Sequence, residues 1–549
     1  MRVSTDFPVY YTIPFPPPIH AWSFMTQVEA MFERYGPKYR LYVTVTVLLG
    51  LVALGMSITI VNVATPYIKG AFGMSASQVQ WLSTGFLAAT TVTLLISPWL
   101  MSAFGQRKTY IGLLIVFIAA SLMGGWATGM GMIIAARVLQ GAMTGVIRPV
   151  ALEALFMVYP PEKRGLATAI YGMSLGLPLT LASVVGGYLV DQFNWRYVFF
   201  IVLPVCAAAI FMGLIFLPDR EESGRRPKLD WIGASVLFVS IFAALAAIAN
   251  GQRWDWTNGT IHLLEAIAIA GALFFIWWEP RQERPILDLD IFKTREFLAG
   301  SIVLFLFGGA FYGVMYLLPQ FMDAILGYSP ITSGELFVPS TFVLAVLVPL
   351  VGRFSDRIPT HWLTVPALAV TAFATWRFAQ ADWSSSYFYL TMSMALLAIG
   401  MATVPPPTLS RSIGSLPPRL IGYGSGAINF ALQLGGAFGT VALVAMIDRR
   451  TAVHSAHLTY QGLTPGNPMA REALRYYGNV VERTGTSQVY RDAAAQHLLS
   501  KVDATWATIY AYQDCFLMVA AALAAVIVPS YLLSRWGQQR AAARAVRAE

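Results

Sequence analysis

The stretch RVLQGAMTGVIRPVALE, residues 137–153, sets Arg137, Arg148 and Glu153 inside a long apolar run. A charge at the centre of a hydrocarbon layer costs about 2.5–3.5 kcal/mol on insertion scales, so a membrane segment with three of them needs a use for them. Arg137 and Arg148 are eleven positions apart. At ~100° and 1.5 Å per residue they fall within ~20° of each other around a helix and ~16 Å apart along it. Gly141 and Gly145 lie between them as close-packing points. Such a stripe must face a cavity or a bundle interior, because lipid would not solvate it.

Carboxylates able to carry a proton are few. Asp514 lies about two turns into the last apolar run, between Tyr510, Tyr512 and Phe516, and Glu335 lies one turn into the tenth. Glu265 sits in the eighth. A carboxyl in a low-dielectric site binds a proton near neutrality, which lets it load and release that proton as its surroundings change. The plainer alternatives are hydrogen bonding at a helix start for Asp514 and an interfacial position for Glu265. The sequence shows no metal-ligand cluster, phosphate-cradling loop or catalytic triad. The six histidines fall in loops or at span edges, and the two cysteines, Cys206 and Cys515, lie in apolar runs and make no disulfide framework. Enzymatic chemistry, a cofactor and a metal centre are therefore not expected.

The elements that must position these residues follow from composition. Of 549 residues 56% are hydrophobic and 12% charged, and mean hydropathy is +0.60. A soluble chain of this length could not hide so much apolar surface. Apolar runs long enough to cross ~30 Å of hydrocarbon recur fourteen times. Six fall within 41–217, two more at about 230–250 and 261–278, and six within 298–534. With the N-terminus inside, the short inner loops carry sixteen Lys/Arg against three (Lys69, Arg196 and Arg253) in the short outer ones. Both ends are thus expected in the cytoplasm. The net charge of +9 comes mostly from this loop bias and a basic tail at 535–549, and suits anionic headgroups rather than nucleic acid.

The organisation expected is a tail (1–40), a first six-helix bundle (41–217), a linker with two added spans (218–297), a second bundle (298–534) and the basic tail. Within 20–35, Trp22, Met25, Val28 and Phe32 recur at helical spacing, as in an interfacial helix. The turns SAFGQRK after the second span and GRFSDRIP after the tenth sit at corresponding places in the two halves, an internal repeat typical of secondary transporters. The long outer segment 447–505 contains two helix-favouring pieces, 468–485 and 488–506, too polar to cross a bilayer.

TIVNVATP (59–66), QWLSTGFLAA (80–89), RVLQG (137–141), EKRGLATAIYG (162–172), GGYLVDQFNWRYVFF (186–200) and LDWIGA (229–234) resemble the major facilitator superfamily. GRFSDR (352–357), GYGSGAINFALQLGGAFGT (422–440), RRTAVHSAHL (449–458) and YQDCF (512–516) agree, and together they look like its fourteen-span drug:proton antiporter family of EmrB/QacA type. The resemblance covers about residues 40–535, and LTPGNP (463–468) looks most like the inner-membrane exporters of Gram-negative bacteria.

It implies an all-α fold of two rocking bundles that exports lipophilic or amphiphilic compounds, driven by the proton gradient. It also implies a periplasmic adaptor and an outer-membrane channel as partners. Arg137 and Gln140 coincide with the motif RxxQG, associated with proton or substrate coupling, and Asn62 falls in the motif of the first span. Gly105, Arg107 and Lys108, with Gly352, Asp356 and Arg357, coincide with gating loops whose charge pairs hold the inner side closed. Gly186, Gly187, Gly435, Gly436 and Gly439 join Gly141 and Gly145 as packing positions.

The chain departs from the family at several sites. Ser57 stands where many relatives carry an aspartate, Ser102 replaces the aspartate of the first gating loop, and Leu432 stands where an arginine is common. Ala182 and Ser183 replace the usual Gly-Pro of the fifth span. Three readings stay open: a proton-driven exporter, an uncoupled facilitator or exporter of one metabolite, and a non-transporting sensor with the same fold.

Overall fold

The computed structural model describes residues 19–160, 164–218, 229–283, 285–355, 358–417, 420–462, 468–483 and 488–548, and among these the regular structure is helical. The first half comprises α1 (Ile19–Tyr35), α2 (Tyr39–Phe72), α3 (Ala76–Phe104), α4 (Gln106–Gly125), α5 (Met130–Val158), α6 (Arg164–Gln192), α7 (Tyr197–Phe200) and α8 (Val202–Phe216). Two further helices follow, α9 (Trp231–Trp254) and α10 (Gly259–Trp278). The second half holds α11 (Arg295–Ala324), α12 (Pro330–Glu335), α13 (Val338–Ser355), α14 (Thr360–Phe378), α15 (Tyr387–Thr403) and α16 (Pro405–Gly414). It ends with α17 (Ile421–Gly462), α18 (Pro468–Arg483) and α19 (Gln488–Ala548).

Local chemistry sets the boundaries. Gly73 takes the left-handed conformation (φ 60°) that closes α2, and Ser75 with Gln78 forms a capping box that opens α3. Asn258 and Ser386 cap α10 and α15 through their side-chain oxygens. Twelve helices among the described residues are long and apolar enough to cross a membrane, against fourteen expected. The expected spans at 165–189 and 362–378 are helical as α6 and α14 but are not among the twelve. Threonine, serine and glycine recur through α6, and α14 carries His361, Arg377 and four threonines.

The halves repeat one packing plan. α2 packs on α6 and α8, as α11 packs on α17 and α19; α3 meets α5 as α13 meets α15. Likewise α4 lies on α5 and α8, and α14 on α15 and α19. Two apolar cores result, one drawn from α2–α8 and one mainly from α11–α19. The halves meet where α3 contacts α17 and where α6 contacts α12 and α13; α9 packs on α10, α3 and α17.

Glycine permits the closest approaches. A Cβ on Gly141 or Gly145 would overlap the backbone carbonyl of Phe86 or Thr90 on α3, and Thr90 and Thr93 donate to the α5 carbonyls of Gly141 (2.9 Å) and Ala142 (2.8 Å). A Cβ on Gly435 or Gly439 would meet the α11 backbone at Phe305 or Gly309. Gly186 faces Ile60 on α2, Gly436 faces the Tyr312 ring, and Gly187 is buried on α6.

The segment 447–505 is not a separate loop. α17 continues through it to Gly462, α18 covers 468–483, and α19 begins at Gln488 and runs on through the last span. α18 packs on α19, where Arg491 bonds Asn479 (2.8 Å) and meets Glu482 (3.6 Å). In α1, Val28, Met31, Phe32 and Tyr35 pack against the first core; the side chains of Trp22 and Met25 lie outside the described ones.

Candidate transport site

Arg137, on α5, is 0% exposed and held by neutral groups of three helices. Its Nε donates to the Leu82 carbonyl of α3 (3.1 Å), and Nη1 to the Ser57 carbonyl (2.9 Å) and Oγ (3.1 Å) of α2. Nη1 also reaches Gln140 Oε1 at 3.1 Å, and the guanidinium lies 4.3 Å from the Phe86 ring centroid. Gln140 donates to Ser121 Oγ on α4 (2.9 Å) and so is fixed in turn. No carboxylate pairs with Arg137 among the described residues, and Ser57 of α2 is one of its contacts. A guanidinium keeps its charge here, held by carbonyl and hydroxyl dipoles and by the face of an aromatic ring.

Between the halves lies a cavity of about 330 Å³. Its walls include Asn62 and Lys69 of α2, Gln320 and Asp323 of α11, Ser333 of α12 and Asp448 of α17. All lie toward the end of the molecule that carries α18. Asn62, Tyr316 and Phe337 also line a second chamber of about 40 Å³, whose floor includes Phe86 and Arg137. Asn62 accepts from Ser83 Oγ at 2.8 Å. The wide chamber thus holds two carboxylates and one lysine, and the small one beside it has Arg137 as its only charged wall residue among those described.

Asp323 and Asp448 were not singled out in the sequence, because each stands at the end of an apolar run where a charge needs no explanation. A signal existed: Tyr316, Gln320 and Asp323 recur at i, i+4, i+7, as do Asn62, Pro66 and Lys69, so each set marks one polar helix face.

The other candidates scatter. Arg148 does not extend the cage. Its Nη1 donates to Gln433 Oε1 on α17 at 2.7 Å, a charge-assisted bond from the first half to the second. Gln433 is 1% exposed and its Nε2 has no partner. Glu153 is exposed.

Asp514 accepts from Arg450 Nε (2.6 Å) and lies 2.7 Å from His454 Nε2, both on α17. It therefore clasps α17 to α19 and is not among the cavity walls. Glu335 is exposed at the end of α12, one residue past the cavity wall. Glu265 on α10 is half-buried beside His262 (3.3 Å).

At the end away from α18, Gly105 turns between α3 and α4 with φ 78°, a conformation that favours glycine. Gln106 beside it bonds the Val150 carbonyl of α5 at 3.1 Å. Arg107 is half-buried, Lys108 exposed, and Gly352 half-buried near the end of α13; Asp356 and Arg357 lie outside the described residues.

Known proteins place this architecture. Residues 47–440 match the Major Facilitator Superfamily. The multidrug export protein EmrB of Escherichia coli (strain K12) is 29% identical over 415 residues, covering 75% of this chain and 81% of the relative. The fatty acid resistance protein FarB of Neisseria gonorrhoeae is 29% identical over 437 residues (75% and 85%). The tetracenomycin C resistance and export protein of Streptomyces glaucescens is 28% identical over 405 (74% and 75%). The fold is similar to that of the POT family transporter PepTSo, with a TM-score of 0.55 at 14% identity over 92% of this chain and 99% of that one. A bacterial homologue of the lysosomal transporter Spinster, in an inward-facing unoccupied conformation, gives 0.54 at 16% identity (91% and 98%). With its two repeated helical halves around a central cavity, the chain is a multi-pass membrane transporter, not an enzyme, and it belongs to the major facilitator superfamily.

Proposed function

We propose that this transporter exports amphiphilic organic compounds across a bacterial inner membrane, exchanging them for protons as its two halves expose the central cavity to either side in turn. The observation that carries this reading is the cavity between the halves: two carboxylates line it, and the smaller chamber that shares its wall is lined by a buried guanidinium. The names of the similar proteins (multidrug export, fatty acid resistance, tetracenomycin C export) support the cargo class. Loop charge supports both termini in the cytoplasm, which puts the wide chamber and α18 on the outer side.

With serine at position 57, the proton must bind elsewhere. Asp323 and Asp448 are the candidates, since both face the cavity whereas Asp514 is engaged by Arg450 and His454. Protonation and release by a carboxyl facing the cavity would tie the outer state to proton entry. Arg148–Gln433, with the Gly105 turn, would hold the inner side shut while the outer side is open.

The test is proton movement in proteoliposomes with an imposed pH gradient. Addition of an exported dye should release protons in proportion to dye moved, and Asp448→Asn with Asp323→Asn should uncouple the two. Dye flux that is indifferent to the pH gradient would replace this reading with an uncoupled facilitator, which Ser57 favours.

The extension formed by α17, α18 and α19 would seat a periplasmic adaptor leading to an outer-membrane channel. Replacing 455–500 by a short flexible linker should abolish crosslinking to the adaptor and leave vesicle transport intact. Persistent crosslinking would remove the docking role.

A further inference from the structure

The inner chamber holds an unbalanced charge. Arg137 is wholly buried, and its contacts (Ser57, Gln140, the Leu82 carbonyl and the Phe86 ring) are all neutral. No acidic residue lines this chamber among the described residues. A buried cation without a counter-charge gives up hydration that dipoles only partly replace. A ligand bearing one negative charge would supply what the protein withholds.

Geometry agrees. At about 40 Å³ the chamber takes a headgroup rather than a drug, since one water needs roughly 10–15 Å³ of such space. Its remaining wall includes Leu87 and Met315, and it shares Asn62, Tyr316 and Phe337 with the chamber of about 330 Å³, which has room for a larger body. Asp323 and Asp448 stand only in the wide chamber, together with Lys69, and neither lines the inner one, so no described carboxylate there competes for Arg137.

We propose that the inner chamber is an anion subsite and that the cargo this protein handles best is an amphiphilic carboxylate, seated with its charged head toward Arg137 and its apolar portion in the wide chamber. The inference rests on reading the cavity as the transport route. Ser57 decides the sign of the cargo: a carboxylate at that position would lie within reach of Arg137 Nη1, neutralise it internally and leave the chamber fit for neutral ligands.

The probes are dansylaminoundecanoate and its primary amide, with binding to the full-length protein in nanodiscs read by dansyl fluorescence against empty nanodiscs. The wild type should bind the carboxylate roughly tenfold or more tightly than the amide, as expected of a charge-assisted bond in a dry site. Ser57→Asp should erase that preference while retaining amide binding, and Arg137→Gln should do the same.

Equal affinity for the two probes in the wild type, no binding of either, or a preference that survives Ser57→Asp would overturn the subsite. Flux in proteoliposomes separates this from the export reading. Export of amphiphiles without regard to charge would sink the anion inference and leave export standing. Carboxylate binding without flux of any amphiphile would do the reverse.

Discussion

In the first half of the molecule α5 presses Gly141 and Gly145 onto the backbone of α3, and in the second α17 presses Gly435 and Gly439 onto α11. The two seams differ in what they hold beside the close contact. The first buries a guanidinium in a neutral cage. The second sets Asp448, with Asp323 across from it on α11, against the wide chamber, and a little further along α17 it builds the Arg450–Asp514–His454 clasp. Packing is thus duplicated while charge is divided, so the buried cation and the cavity carboxylates sit on opposite halves.

The largest effect expected is at Arg137. Arg137→Ala should cut transport by about a hundredfold or more with normal membrane insertion, because the group is irreplaceable in its cage. Arg137→Lys should recover little, since an ammonium cannot span the Leu82 and Ser57 carbonyls at once. Efflux at the wild-type rate in a resistance assay would erase the division of charge.

Next comes the second half. Asp448→Asn should flatten the pH profile of dye efflux, and Asp323→Asn should do so less, whereas Asp514→Asn should keep it. A flat profile from Asp514→Asn alone would return the proton to the helix clasp.

A smaller effect is expected where the halves touch. Gln433→Leu removes the acceptor of Arg148, a charge-assisted bond of about 1.5–3 kcal/mol. The inner side should open more readily, seen as faster alkylation of cysteines placed at its mouth. Unchanged alkylation would mean that the bond forms no latch.

The smallest is stability. The Asp514 pair is partly solvent-exposed, so Asp514→Asn should cost under about 1 kcal/mol, a slight fall in Tm by nanoscale fluorimetry.

How far these assignments could be seen in the sequence depended on the kind of signal. The stripe on α5 was legible because a charge in an apolar run is costly wherever it points, and Arg137 proved to be buried at the cavity floor. The glycine seams were legible for a related reason, as small residues in membrane helices mark close approach. Arg148 shows the limit: its place on the stripe was plain, but its partner Gln433 lies 285 positions away and an amide in an apolar helix carries no label. Asp323 and Asp448 escaped because a charge at the end of an apolar run is cheap in any membrane protein. Only the packing of the two halves turns them into cavity walls. Asp514 was conspicuous by its aromatic neighbours, and the cations that engage it sit in a segment expected to be loop rather than an extension of α17.

That extension has a mechanical meaning. From Asp448, at the cavity wall, α17 runs without a break to Gly462, fourteen residues or ~21 Å further, alongside α19, which is equally unbroken. A stiff rod rooted in one body swings with it, so a rotation of ~10° there would carry the tip through roughly 4 Å. Under the proposed alternation of the two halves, a body seated on α18 would be told, through leverage alone, which way the cavity faces.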